Sequence, residues 1–281
     1  MDPLTRTLTL IFLITTMAAI GLKVTTSELV SALHNRSLMV RSLIANVVIV
    51  PLLGILLVKI VPMSPDARIG IILLAASPGG LNAIQFTSKS KNALCYAASL
   101  LFILTLLSVL ISPAIANLML PVGTSLTLPY EKVISFLLLY LLLPLVIGFA
   151  VNRVSKKIAN LLSKPMALIG TIFFVVVVIL MLAQRKEAMA ALSKTELAAM
   201  FTFIIITMII GWLSGGPSKE TRRILATTTS MRNAALCFIM ASNGFPDTNV
   251  IVTVVAFSGL MIPPNMLFTI YEIIIEKRKS K

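Results

Sequence analysis

Two short stretches of this 281-residue chain place backbone breakers and hydrogen-bonding side chains inside otherwise apolar sequence. The first is Ser77-Pro78-Gly79-Gly80, followed by Asn82, Gln85, Thr87 and Ser88. The second is Thr227-Thr228-Thr229-Ser230-Met231-Arg232-Asn233. Proline removes a backbone donor and clashes with the preceding turn, and paired glycines relax the backbone. Four hydroxyl residues followed by Arg and Asn are costly in the middle of an apolar span. Irregular backbone at bilayer depth survives only where protein or a water-filled cavity surrounds it. The chemistry this permits is anion binding. A helix that restarts after a break exposes free N–H groups and about half a positive charge at its N-terminus. Two such termini facing one point can hold an anion without a dedicated cation. On this reading the breaks are Pro78, Gly79, Gly80 and Ser230, and the residues facing the anion are Gly80, Leu81, Asn82, Arg232, Asn233 and Ala234.

Arg232 is the sharpest single residue. A charge at mid-bilayer is expensive and has a partner or faces a cavity. All 10 acidic residues lie in loops or at span ends, so none is available to it. Its expected partners are the carbonyl ends of the interrupted helices or a substrate carboxylate. Snorkelling to the surface would need a shift of roughly ten residues, beyond the reach of the side chain. Asn46, five residues before Pro51, and Asn82, Gln85 and Asn233 are the other midspan polar groups, for which an interhelical hydrogen bond is the ordinary role. Asn233, beside the break, is the best ligand candidate among them. His34 falls in a basic loop, Gly215-Gly216-Pro217 reads as a loop, and Cys95 and Cys237 read as small buried hydrophobes. No metal motif, nucleophile elbow or phosphate loop is visible, and no cofactor is expected. A membrane-embedded enzyme would need clustered carboxylates or a histidine base within the spans.

The elements that position these residues follow from composition. The hydrophobic fraction is 58% and only 12% of residues are charged, against about 25% in a soluble domain; mean hydropathy is +1.00. The sequence predicts an all-α polytopic membrane protein with nine spans: Leu4–Leu22, Ser42–Ile60, Ile69–Ser88, Ala93–Leu120, Val133–Val151, Met166–Gln184, Leu197–Leu213, Ile224–Ser242 and Val250–Ile275. The first lacks a basic leader and a small-residue cleavage site, and is read as a span rather than a signal peptide. The net charge of +14 is distributed in short loop clusters, which argues for membrane topology and against nucleic acid. With the N-terminus outside, 16 Lys and Arg fall in cytoplasmic segments and 7 on the opposite side. That bias favours a cell-membrane protein, surrounded by lipid, with its C-terminus in the cytoplasm. The two interrupted spans then run antiparallel, each followed by a long last span of its half, the pattern of an inverted repeat of four and five helices.

At these residues the chain resembles the bile acid:sodium symporter family. The resemblance covers nearly the whole chain and rests on Ile20-Gly21-Leu22 with Ser27-Glu28-Leu29, Val50-Pro51, Ser77-Pro78-Gly79-Gly80, Ser112-Pro113 and Ser230-Met231-Arg232-Asn233-Ala234-Ala235-Leu236. It implies two crossing broken helices and alternating access between a panel domain (approximately 4–60 and 133–213) and a core domain (approximately 69–120 and 224–275). It also implies two sodium sites, and here the chain departs from the pattern. The places of one site hold Ala83, Ile84, Ala97, Leu101 and Thr228; two ligand positions of the other are Asn46 and Arg232. Ala, Ile and Leu offer no side-chain oxygen. The expectation is a secondary transporter of a small organic anion in which Arg232, with Asn46 and Thr228 around it, replaces a sodium ion. The alternative is a sodium-coupled symporter that uses Asn46 and backbone carbonyls.

Overall fold

In a computed structural model of the chain, residues 3–80, 83, 86, 91–120 and 128–279 are described. They are predominantly helical, and no strand occurs among them. Helix α1 is Pro3–Lys23, α2 Thr26–His34, α3 Arg36–Ile44, α4 Val50–Ile60, α5 Pro65–Ala75, α6 Lys91–Met119, α7 Tyr130–Leu137 and α8 Leu143–Val154. Then come α9 Lys156–Gln184, α10 Lys186–Ala190, α11 Lys194–Ser214, α12 Lys219–Ser230, α13 Ala234–Gly244, α14 Val250–Leu260 and α15 Ile262–Lys279.

Among the described residues, eight helical segments are long and apolar enough to cross a membrane: Pro3–Lys23, Arg36–Ile60, Tyr96–Met119, Tyr130–Val154, Lys156–Met181, Lys194–Ser214, Lys219–Gly244 and Val250–Ile275. The expected third span is not among them. It enters as α5, whose 11 residues reach about 16 Å, roughly half of a ~30 Å hydrocarbon core. Of its continuation, only residues 83 and 86 between 81 and 90 are described. Two other boundaries move. The second span begins at Arg36 rather than Ser42. The sixth begins at Lys156 rather than Met166, because Ser155 caps it by accepting from the Ile158 N–H at 3.4 Å and Pro165 is carried inside the 29-residue helix.

Prolines shape two of the spans in the same way. Residues Ala45–Ile49 and Leu138–Leu142 form π-helical turns just before Pro51 and Pro144. A proline ring collides with the carbonyl four residues back. Those carbonyls belong to Val47 and Tyr140, both inside the widened turns, so the π geometry makes room for the ring. The first π turn carries Asn46, with consequences for the site.

Helix α1 packs on α8 and α9, while α4 packs on α5 and α11, and α11 packs along α12. The α1–α8 contact is close enough that a Cβ on Gly21 would meet the Leu145 carbonyl, and one on Gly148 the Ala18 carbonyl. At one end of the bundle the Arg185 Nη1 donates to the Thr248 carbonyl (3.1 Å) and to Asn249 Oδ1 (2.7 Å), tying the end of α9 to the α13–α14 loop. The Asn249 N–H donates in turn to Asp66 Oδ2 on α5 at 3.0 Å. Glu196, 3% exposed, accepts from the Ser64 N–H and hydroxyl and from the Ser193 N–H and hydroxyl, joining the α4–α5 loop to the start of α11. Gly148→Leu, which pushes α1 off α8, is expected to cost about 1–3 kcal/mol by overpacking and to lower the thermal denaturation midpoint of the detergent-purified protein.

Candidate functional site

The first break follows from local chemistry. Residue 77 precedes a proline and is therefore driven out of the α region. Its N–H donates to the Leu74 carbonyl (3.1 Å), and its hydroxyl to the Leu73 carbonyl (2.6 Å), closing off α5. Gly79 adopts φ +87°, a left-handed conformation that a side chain would strain. The second break lies between α12 and α13. Met231 is extended at φ −88°, ψ 108°. Asn233 caps α13, its Oδ1 accepting from the Leu236 N–H at 3.1 Å.

These two non-helical stretches lie against each other. The Gly80 N–H donates to the Met231 carbonyl (2.9 Å) and the Asn233 N–H to the Ser77 carbonyl (3.0 Å). Residues more than 150 apart in sequence thus exchange a reciprocal pair of backbone hydrogen bonds, which satisfies groups that the breaks orphan. The approach requires glycine at 80, since a Cβ there would meet the Met231 carbonyl and lie 2.7 Å from the Arg232 oxygen.

Arg232 is completely enclosed. Its Nε donates to the Leu74 carbonyl at 2.9 Å and its Nη2 to the Ala75 carbonyl at 2.7 Å. Its Nη1 donates to Asn46 Oδ1 at 3.0 Å and, more weakly, to the Thr229 carbonyl at 3.4 Å. Leu74 and Ala75 end α5, and Thr229 lies in the last turn of α12. The guanidinium therefore sits across two helix C-termini, each worth about half a negative charge, and these together offset its own charge. Asn46 completes the set: its Nδ2 donates to the Ser42 carbonyl (3.0 Å) and to Thr229 Oγ1 (3.1 Å). Four carbonyl-type oxygens converge on one positive charge, a donor set suited to a hard cation held at half-helix C-termini.

Of the residues singled out from the sequence, the structure brings Arg232, Asn46, Gly80, Asn233 and the Pro78–Gly79 turn to one crossing. Thr228 is buried, but its hydroxyl donates to the Ile224 carbonyl of its own helix at 2.8 Å; the threonine that meets Asn46 is Thr229. Ser230 ends α12, and its hydroxyl donates to Asn265 Oδ1 at 2.8 Å. Leu81 and Asn82 lie outside the described residues, as do Ile84, Gln85, Thr87 and Ser88. Ala83, Ala97 and Leu101 are fully buried and supply no side-chain oxygen.

A cavity of about 180 Å³ adjoins the second break. Arg232, Ala234 and Ala235 form one wall, Met261 and Ile262 at the α14–α15 junction another. Phe12 and Thr16 of α1 and Gly170, Thr171, Phe174 and Val175 of α9 close it opposite, with Phe86 at its edge. The α1 and α9 contributions were not singled out from the sequence. The Gly170-Thr171 interruption of an apolar span is the one signal that pointed there. The cavity meets the positive end of α13, while Arg232 takes up the negative end of α12; one break thus offers opposite poles to the two sites. At the cap, the Ala234 N–H turns to the Arg232 carbonyl (3.0 Å) and Leu236 to Asn233 Oδ1. That leaves the Ala235 N–H as the donor of the first turn that the cap does not take. The fully buried Asn233 Nδ2 has no hydrogen-bond partner.

The family model described as "Sodium Bile acid symporter family" matches residues 10–192. The chain belongs to that family. It is accordingly a multi-pass membrane protein of a transporter family, not of an enzyme family. It is 22% identical over 257 residues to "Probable sodium/metabolite cotransporter BASS3, chloroplastic" of Arabidopsis thaliana, covering 88% of this chain and 59% of the relative. The protein of that name in Oryza sativa subsp. japonica is 20% identical, covering 88% and 60%. "P3 protein" of Bos taurus is 23% identical over 231 residues, covering 78% and 47%. The chain thus spans about three fifths or less of the length of these curated relatives.

Gly80→Ala drives a methyl group into the Met231 carbonyl and separates the two breaks. The expected outcome is a loss of about 1–3 kcal/mol, measured as a lowered thermal midpoint, whereas Ala83→Gly at the next described position leaves the crossing intact.

Proposed function

We propose that this chain is a secondary transporter that moves a small organic anion by alternating access, with the Arg232 guanidinium standing where a coupling sodium ion would bind. The observation that carries this reading is the hydrogen bonding of Arg232 to Leu74, Ala75, Thr229 and Asn46. A guanidinium is always protonated, so it serves as a fixed charge and carries no coupling current. Uniport or anion exchange follows. The anion occupies the cavity beside Ala234 and Ala235, held by the N-terminus of α13.

In the proposed architecture nine spans form an inverted repeat of four and five, with the N-terminus outside the cell membrane and the C-terminus in the cytoplasm. The 16-to-7 distribution of basic residues supports that orientation. The packing supports a mobile panel of α1, α8 and α9, with α3–α4 and α11 assigned to the core alongside α5, α6 and α12–α15. This division narrows the panel expected from sequence, because the second and seventh spans pack on the core helices. The cavity lies between the two units, where relative motion would expose it to either side.

The name "sodium/metabolite cotransporter" carried by two relatives favours the second reading, a sodium-coupled symporter. Proteoliposome uptake of a radiolabelled carboxylate separates the two: transport is expected to be unchanged when choline replaces sodium on both sides, and a sodium-gradient-driven accumulation would overturn the proposal. Arg232→Gln removes the fixed charge and is expected to weaken anion binding. It is also expected to create a sodium-dependent rise in thermal midpoint that the parent protein lacks. Unchanged anion affinity and an unchanged response to sodium would show that Arg232 serves neither purpose.

A further inference from the structure

We infer that Arg185 is the latch of a gate that closes the cavity beside α13 to one side of the membrane, the outer side in the proposed orientation, so that the structure is the inward-facing state of the transport cycle. The inference rests on the alternating-access reading and adds the state and the residues that hold it.

The latch joins two bodies, each tied within itself. At the end of α9, Gln184 Nε2 donates to Thr5 Oγ1 of α1 at 3.0 Å, which fastens this end of the panel to its neighbour. Across the boundary, the Asn249 N–H donates to Asp66 Oδ2 (3.0 Å), which fastens the α13–α14 loop to α5 of the core. Arg185, next to Gln184, donates through Nη1 to the Thr248 carbonyl (3.1 Å) and to Asn249 Oδ1 (2.7 Å). Its bonds therefore run between the units rather than within one. A relative displacement of a few ångströms carries both distances beyond hydrogen-bonding range, so these bonds belong to one state of the cycle.

An apolar seal lies under the latch. Met181 of α9 and Met189 of α10 face Ile251, Val252 and Val255 of α14, and the space between them admits no water molecule. Met181, Ile251, Val252 and Val255 are buried. Methionine is unbranched and adaptable, so it fills such a seam in one state and repacks in another. The seal lies on the outer side of the cavity and of its aromatic wall, Phe12 and Phe174. Met181 is six residues past Val175 on α9, about 9 Å along the helix.

The opposite end is arranged differently. Helix α14 packs on α9 and α10, whereas α12 packs chiefly on α11 and α6, and α15 on α14. The core elements at the Arg185 end thus meet the panel, and those at the other end meet chiefly one another.

The test follows one thiol from both sides of the membrane. The native cysteines, Cys95 and Cys237, are replaced by alanine, and Ala234→Cys places a reporter on the cavity wall. A membrane-impermeant maleimide is applied to intact cells and to inverted vesicles carrying the full chain. Rates are compared for this parent, Arg185→Ala, Arg185→Lys and Asn249→Ala, each checked for monodispersity after purification. In the parent the reporter is expected to react from the cytoplasmic side, and about tenfold more slowly or less from outside, as for a minor outward-facing state. Arg185→Ala is expected to raise the outer rate about fivefold, the effect of losing one hydrogen bond to a charged group at a partly exposed site, and to lower the inner rate. Opposite changes at the two faces mark a shift between states; a protein merely loosened would react faster from both. Arg185→Lys keeps a charge that reaches one acceptor and is expected to fall between, and Asn249→Ala to move both rates in the same sense as Arg185→Ala. Unchanged rates in the Arg185 variants overturn the inference, as does a parent reached faster from outside or a joint rise of both rates. In each of those cases the cavity is still reached and the transporter reading stands. If the reporter is reached from neither side in any variant, the alternating-access reading itself fails and the inference with it.

Discussion

The guanidinium of Arg232, bridging the last carbonyls of α5 and α12, is the interaction on which the centre of this protein depends. An enclosed positive charge is tolerable only when its charge is offset and its donors are satisfied. Both conditions are met by backbone. Two helix C-termini contribute about one negative charge between them, and Leu74, Ala75, Thr229 and Asn46 accept four of the five N–H groups. The dependence is mutual. Two helices that end inside an apolar bundle leave carbonyls without partners, and the side chain that satisfies them is planted in one of the breaks that created them.

The crossing is completed from the other direction by the Gly80–Met231 and Asn233–Ser77 hydrogen bonds. Backbone polar groups that leave a helix at bilayer depth must be satisfied within the protein, and here each break supplies the other. The result has electrostatic order. Negative helix ends point at Arg232; the positive end of α13 points at the cavity. Charge separation over one short segment, Met231–Asn233, places a fixed cation and a positive helix terminus within a few residues of each other.

How far the fold and site could be read in advance depended on the kind of information involved. Spans with uniform apolar sequence were placed to within a few residues, because length and composition alone decide them. The start of α9 was missed because Lys156–Lys164 looked like a loop, whereas Ser155 caps a helix that runs through it and past Pro165. The hydrogen bond of Asn46 to Thr229 was not foreseen, because it depends on how α12 packs against the π turn at Ala45–Ile49. No periodicity in the sequence records an inserted residue of that kind. The aromatic wall was missed for a different reason: Phe12 and Phe174 sit in spans where a phenylalanine is ordinary.

The sequence by itself determined that the chain is an α-helical membrane protein, where its helices are interrupted, and that an unpaired arginine sits at one interruption. Each of those is a property of local composition: apolar run length, proline and glycine position, and the absence of a nearby acid. The tertiary structure alone decided that the two interruptions touch and that Arg232 spends its donors on helix C-termini. It also decided that the cavity beside α13 is shared with α1 and α9. Those facts depend on pairings between residues as distant as Ser77 and Asn233, or Phe12 and Phe174. Such pairings are set by how whole helices pack rather than by any segment's own preference.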